Sequence, residues 1–181
     1  MRRTMGVVTA LLLGAAMANG YVAAQVSFGG QASLTNLGTD EVDTGETVGV
    51  GGRLGVSVFQ NEKATVMIEG VAEAMFPPCD DLTGCELFGA QLNVIGFLAH
   101  SDVVQIYGGL GAAWQTYTLE DETQDLTAEG SSWGVSMIIG LGWVATQTFR
   151  PFFEVRLSEM FDMRTQASGV VGFRIMPGAY Y

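Results

Sequence analysis

Trp133-Gly134-Val135-Ser136-Met137-Ile138-Ile139-Gly140-Leu141-Gly142-Trp143 is the stretch that decides the fold. Taken at every second residue it separates into two sets. One is Trp133, Val135, Met137, Ile139, Leu141 and Trp143, all bulky and apolar; the other is Gly134, Ser136, Ile138, Gly140 and Gly142, mostly small. A period of two belongs to a β-strand, whose side chains point alternately to the two faces of a sheet.

Working outward from it, the same alternation recurs in segments of roughly ten residues. They are placed near 25–35, 46–59, 64–76, 86–98, 103–117, 131–145, 151–161 and 166–176. Val26, Phe28, Gly30, Ala32 and Leu34 alternate with Gln25, Ser27, Gly29, Gln31 and Ser33. Val66, Ile68, Gly70, Ala72 and Ala74 alternate with Thr65, Met67, Glu69, Val71 and Glu73. Phe153, Val155 and Leu157 alternate with Glu154, Arg156 and Ser158, although Glu159 then falls on the apolar face. Short turns at Gln60–Lys63, Ala99–Asp102 and Thr146–Arg150 alternate with the connections Asn36–Gly45, Pro77–Cys85, Thr118–Gly130 and Asp162–Thr165. Long loops on one side and short turns on the other are the habit of membrane barrels. All four prolines (Pro77, Pro78, Pro151 and Pro177) sit at segment ends, where no ladder hydrogen bond is lost.

The direction of the alternation separates a soluble sandwich from a membrane barrel. A sandwich buries its bulky apolar face and wets the polar one. Here the polar face is rich in Gly and Ser, which fit the narrow inside of a small barrel. The apolar face carries aromatics in two bands: Phe76, Phe88, Trp114, Trp133 and Phe161 toward the loops, and Phe28, Trp143, Phe153 and Phe173 toward the turns. Two bands are what the two headgroup levels of a bilayer favour. The expectation is an all-β, eight-stranded antiparallel up-and-down transmembrane β-barrel. Inward Gln25, Gln31, Gln91, Asn93 and Gln105 speak against the apolar lumen of a soluble carrier.

Residues 1–24 read as a secretory signal peptide, with Arg2 and Arg3 before a short apolar run, Met5 to Met17, and Val22-Ala23-Ala24 as a small-residue cleavage site. That run is too short to span a bilayer as a helix. The barrel domain is then 25–181. Loss of Arg2 and Arg3 takes the net charge from -11 to -13. So negative a chain is not a nucleic-acid partner, since phosphate contacts need Lys and Arg.

The stretches Val104-Gln105-Ile106-Tyr107-Gly108-Gly109-Leu110-Gly111-Ala112, Arg150-Pro151-Phe152-Phe153-Glu154-Val155-Arg156 and Gly169-Val170-Val171-Gly172-Phe173-Arg174-Ile175 carry a resemblance. The chain resembles the small outer-membrane β-barrel family of OmpX and the OmpA transmembrane domain over nearly all of 25–181. The resemblance implies a place in the bacterial outer membrane, contact with its lipid, and insertion by the barrel-assembly machinery. That machinery reads a terminal aromatic residue in the family, here Phe173 or Tyr181.

Six charges fall on the inward face: Arg53, Arg156 and Arg174 against Glu69, Glu73 and Glu154. In a narrow interior they must pair, because an unpaired buried charge is costly. Arg53 is expected to pair with Glu69 or Glu73. Phe59, Phe97 and Phe152 are expected to point inward near the turns and plug that end. The network reads as a structural filling of a closed lumen; the alternative is a narrow, porin-like channel for ions or small solutes.

No catalytic constellation stands out. The single His100 lies in a turn beside Ser101, whereas lipid A deacylases place His and Ser two apart on a strand. Cys79 and Cys85 flank Asp80-Asp81-Leu82-Thr83-Gly84, and in an oxidising compartment a disulfide is the favoured reading. Two thiols alone are too few ligands for a structural zinc, and no cofactor is implied. The first three long connections and their edges hold Asp40, Glu41, Asp43, Glu46, Asp80, Asp81, Glu86, Glu120, Asp121, Glu122, Asp125 and Glu129, with no Lys or Arg. Such a rim is either a solvated surface or a site for divalent cations or a basic partner. The function this supports is a structural or surface-interaction barrel and not an enzyme.

Overall fold

The computed structural model describes residues 25–38, 43–60, 64–78, 84–100, 103–121, 126–161 and 165–177. Residues 1–24, expected to be a signal peptide, and Asp40, Glu41, Cys79, Asp80, Asp81, Ser101, Glu122, Asp125 and Tyr181 lie outside the described residues.

Eight strands follow one another in the described chain: β1 (Val26–Gly38), β2 (Asp43–Gln60), β3 (Thr65–Phe76), β4 (Gly84–His100), β5 (Val104–Asp121), β6 (Leu126–Trp143), β7 (Phe149–Met160) and β8 (Gln166–Ile175). Each pairs antiparallel with its sequence neighbour, and β8 closes back on β1. Closure leaves the sheet no open side edge along the wall, so every wall strand has two hydrogen-bonded neighbours.

Register sets the shape. Paired residues can be followed once round the wall from Val26 through Val56, Ile68, Val94, Leu110, Met137, Leu157 and Ala167 to Asn36. The circuit returns to β1 ten residues beyond its start, 36 against 26. With ordinary strand spacing and rise, that stagger tilts the strands by roughly 40°. It also brings residues far apart in register to one height in the lumen, which is how the inward charges meet.

The strands form where the alternation predicts and run further at the loop side. The expected Thr118–Gly130 loop is largely strand, with β5 and β6 paired as far as Asp121 and Leu126. Backbone groups there pair with each other even though no apolar alternation signals it. β4 follows as far as Gly84, opposite Glu120. By contrast, β3–β4 pairing stops at Met75 with Leu87, and β6–β7 pairing at Gly134 with Met160. The tops of β4, β5 and β6 therefore project as a three-stranded sheet above the wall.

At the opposite end the β6–β7 turn is tied by Thr146. Its Oγ1 accepts from Phe149 N at 2.9 Å, and Thr146 N donates to Phe149 O at 3.2 Å. A hydroxyl that captures backbone donors is the usual chemistry of a tight connection.

A bulge between Ser57 and Phe59 overturns one expectation. An extra residue there flips the side-chain phase, so Phe59 lies exposed on the outside and not in the lumen. Phe97 and Phe152 do point inward and are buried.

The core of the protein is the lumen. Its buried side chains are mixed: Met67, Ile95, Phe97, Tyr107, Ile138, Phe152 and Val170 form an apolar cluster, beside buried Ser, Thr, Asn, Gln, Glu and Arg. Glycines make room for the rings. Tyr107 lies over its cross-strand partner Gly140, and Phe152 over Gly172, where a Cβ would collide with the ring. The outer wall is the reverse of a soluble surface. Leu110 is 66% exposed, Ile139 60%, Leu54 59%, and Val50, Leu92, Val135 and Val171 are also exposed. An unbroken apolar belt of this kind needs lipid around it.

Candidate functional site

The residues singled out on the inward face occupy the centre of the lumen. Arg53 Nη1 stands 3.0 Å from Glu69 Oε1 and 3.2 Å from Glu154 Oε2. Arg174 Nε donates to Glu69 Oε2 at 2.8 Å. Arg156 bridges Glu154 Oε1 at 2.9 Å and Glu73 Oε2 at 3.3 Å. Glu154 is fully buried and faces three guanidinium groups, the third being Arg174 at 3.6 Å. Of the two acids open to Arg53, the geometry pairs it with Glu69, while Glu73 goes to Arg156.

Neutral groups complete the layer. Gln31 Oε1 accepts from Arg53 Nε at 3.0 Å, and Gln31 Nε2 donates to Glu73 Oε2 at 2.9 Å. Ser33 also donates to Glu73, and Tyr107 O–H donates to Glu154 Oε2 at 3.0 Å. Charge-assisted bonds of this sort let buried ions share their partners and keep few lone pairs idle.

Sequence reasoning missed two contributors. The sequence places Arg150 in a turn, but β7 begins at Phe149 and turns Arg150 inward. It is buried, and its Nη1 donates to Gln105 Oε1 at 2.9 Å. Among the described residues the inward charges are therefore four arginines and three glutamates. The alternation Arg150, Phe152, Glu154, Arg156 was the signal that could have found it. The second is Tyr107, which joins the expected inward rings Phe97 and Phe152 in a layer beneath the charges. Two guanidinium groups lie over the Phe152 ring, Arg53 at 4.2 Å from its centroid and Arg174 at 4.5 Å. Arg174 also stands 4.7 Å over Tyr107, whose ring centroid is 5.3 Å from that of Phe97. A guanidinium held on a ring face is attracted by the π-system, most strongly when dry.

The outer wall carries the aromatics in two levels. Phe76, Phe88, Trp133 and Phe161 are exposed at the loop side, with Trp114 half-buried among them. Phe88 and Trp114 meet edge-on at 6.4 Å, and Trp114 and Trp133 are tilted at 6.2 Å. Phe28, Trp143, Phe153 and Phe173 are exposed at the turn side, joined by Phe149 and Phe59. Between Val26 and Asn36 the tilted wall rises about 25 Å, the height of a lipid-facing band. Glu159 is exposed on this outer face at the loop side.

Above the loop-side aromatics, Glu46, Glu86 and Glu129 are exposed. Asp43, Glu120 and Asp121 lie in the strand ends there. Among the described residues no group of three or more His, Cys, Asp or Glu is placed to hold a metal. The three inward glutamates converge on arginines instead.

A closed eight-stranded antiparallel barrel with its apolar face outward, between two aromatic levels, is a transmembrane β-barrel of the small outer-membrane type. Solved structures of that type share the fold. The attachment invasion locus protein Ail of Yersinia pestis superposes with a TM-score of 0.65 at 13% identity, covering 86% of this chain and 99% of that one. Ail is also known in complex with the heparin analogue sucrose octasulfate. The N-terminal β-barrel domain of Pseudomonas aeruginosa OprF gives 0.61 at 14% identity, covering 84% and 98%. Neisserial surface protein A gives 0.58 at 12%, covering 83% and 96%. At these identities the likeness is one of fold. No protein-family model and no curated protein matches the sequence.

Proposed function

We propose that the chain is a bacterial outer-membrane barrel with a closed lumen, which displays an acidic sheet for contact at the cell surface. The observation that carries this reading is the projection of β4, β5 and β6 beyond the loop-side aromatics. Pairing on both flanks has ended below it, so the described top of β6, Leu126 to Ser132, has no strand on its outer side. A free strand edge is a template for an extended partner segment. Exposed Glu129 lies on this edge strand and exposed Glu86 on β4 across the same sheet, both opposite Thr118. The first three long connections add acids without Lys or Arg, while the fourth, Asp162–Thr165, carries Arg164.

Charge then sets the class of partner. A sulfated polyanion such as the one Ail takes suits a basic surface. This rim suits a cationic segment or divalent cations. The lumen charges act as filling that joins six of the strands across the interior. No catalytic role is assigned to His100 or any other residue. A narrow channel is the weaker reading, because the lumen is occupied by buried side chains along its length.

The rest of the proposal concerns maturation. Residues 1–24 are removed as a signal peptide, the barrel-assembly machinery inserts 25–181, and a Cys79–Cys85 disulfide closes the second long loop. In support of the last, no cysteine among the described residues is free.

The test is binding of a fluorescent oligolysine peptide to the full barrel in nanodiscs. Binding that weakens with salt, and falls in the Glu86→Gln/Glu129→Gln variant, is expected. An absence of binding at low salt would remove the cationic partner from the proposal.

A further inference from the structure

The lumen is not uniform along its axis. At the level of Phe97, Tyr107 and Phe152 the register places Met67, Ile95 and Arg174 in the same cross-section. All six are buried, at 4% exposure or less. Arg53 and Arg174 press on the ring faces from the charge layer, and their Nε groups are both taken, by Gln31 Oε1 and Glu69 Oε2. These contacts pack the two guanidinium groups directly against the rings.

The loop side of the charge layer is different. A cavity of about 30 Å³ lies there, against Glu73, Arg156, Gln91, Gln115 and Ser168. That volume admits a water or two. Two buried polar atoms of its lining have no protein partner: Arg156 Nε and Gln91 Oε1. Buried polar atoms of native proteins are bonded either to protein or to ordered water.

We infer that the permeability barrier of this barrel is the ring layer of Phe97, Tyr107 and Phe152, clamped by Arg53 and Arg174, and not the ion pairs. The inference rests on the closed-lumen reading and says where the closure is. The chamber above, from Arg156 and Glu73 toward the loops, is hydrated. Ion pairs alone are a poor seal, because water and small ions can replace a partner in a polar layer. A packed apolar constriction excludes both by dewetting. The guanidinium groups make the rings immobile, and the rings keep the guanidinium groups dry.

Two measurements test it. In planar bilayers, wild type stays closed, Tyr107→Ala/Phe152→Ala conducts, and Glu73→Gln/Arg156→Gln stays closed. The ring variant is expected to exceed wild type by roughly an order of magnitude. Opening of the charge variant alone would overturn the inference and leave the closed lumen standing. A large steady conductance in wild type would instead overturn the closed lumen itself. The second measurement needs no substitution and so survives a variant that fails to fold. Nitrogen-resolved NMR of wild type in nanodiscs reads water exchange at each arginine Nε–H. Arg156 is expected to exchange with water readily, and Arg53 and Arg174 slowly. Equal exchange at all three would place water among the guanidinium groups that clamp the rings and overturn the inference.

Discussion

Glu154→Gln is the substitution that most directly probes the lumen. The carboxylate is 0% exposed and takes charge-assisted contacts from Arg156 at 2.9 Å, Arg53 at 3.2 Å and Arg174 at 3.6 Å, plus the Tyr107 hydroxyl at 3.0 Å. Glutamine keeps the shape, removes the charge, and turns one acceptor oxygen into a donor that faces other donors. Breaking a buried ion pair by removing one partner costs about 3–5 kcal/mol. Glu69 still holds Arg53 and Arg174, and Glu73 still holds Arg156, so the low end applies. The expected loss is about 3 kcal/mol, roughly two powers of ten in the folding equilibrium. Urea unfolding in lipid vesicles reads it through the fluorescence of the wall residues Trp114, Trp133 and Trp143. Glu159→Gln, exposed on the outer face, serves as control and should stay within about 0.5 kcal/mol of wild type. Adding Arg156→Gln restores the charge count, so the double variant should lose less than the sum of its parts. A Glu154→Gln loss below about 1 kcal/mol, with an additive double variant, would mean that the network sits in water and the lumen is open.

Other consequences follow from the same geometry. Leu110→Arg, at mid-height on the outer wall, should cost about 2–4 kcal/mol in vesicles; a neutral outcome would argue against lipid there. Gly29→Ala should destabilise by about 1–3 kcal/mol, because its Cβ meets the Phe173 carbonyl oxygen, whereas Gly169→Ala has nothing within 4 Å and should be near neutral. Equal unfolding midpoints for the two would refute the register at the β1–β8 seam. The proposed Cys79–Cys85 bridge predicts no titratable thiol before reduction and two after. Reduction should change barrel stability little, since the enclosed ring is short.

Phe59 and Arg150 mark how far the sequence can be read. Strict alternation in 131–145 and 64–76 carried strand identity, the face that meets lipid and the identity of the inward charges. It failed where a local irregularity resets the phase. A bulge after Ser57 leaves no mark in composition, and it moved Phe59 from the lumen to the outer wall. Pro151 hides Arg150, because a proline reads as a strand start and the strand begins earlier, at Phe149. The projecting sheet was equally silent, because strands paired in water need no apolar face to announce them.

By itself, then, the sequence determined the period of two, the strand number and the outward apolar face with its two aromatic levels. All of these follow from local side-chain chemistry repeated along the chain. Only the tertiary structure decided which charges meet. Partner choice depends on the ten-residue stagger around the wall, a property of closure that no single strand contains. That stagger pairs Arg53 with Glu69 and Arg156 with Glu73, and it sets Arg53 and Arg174 over Phe152.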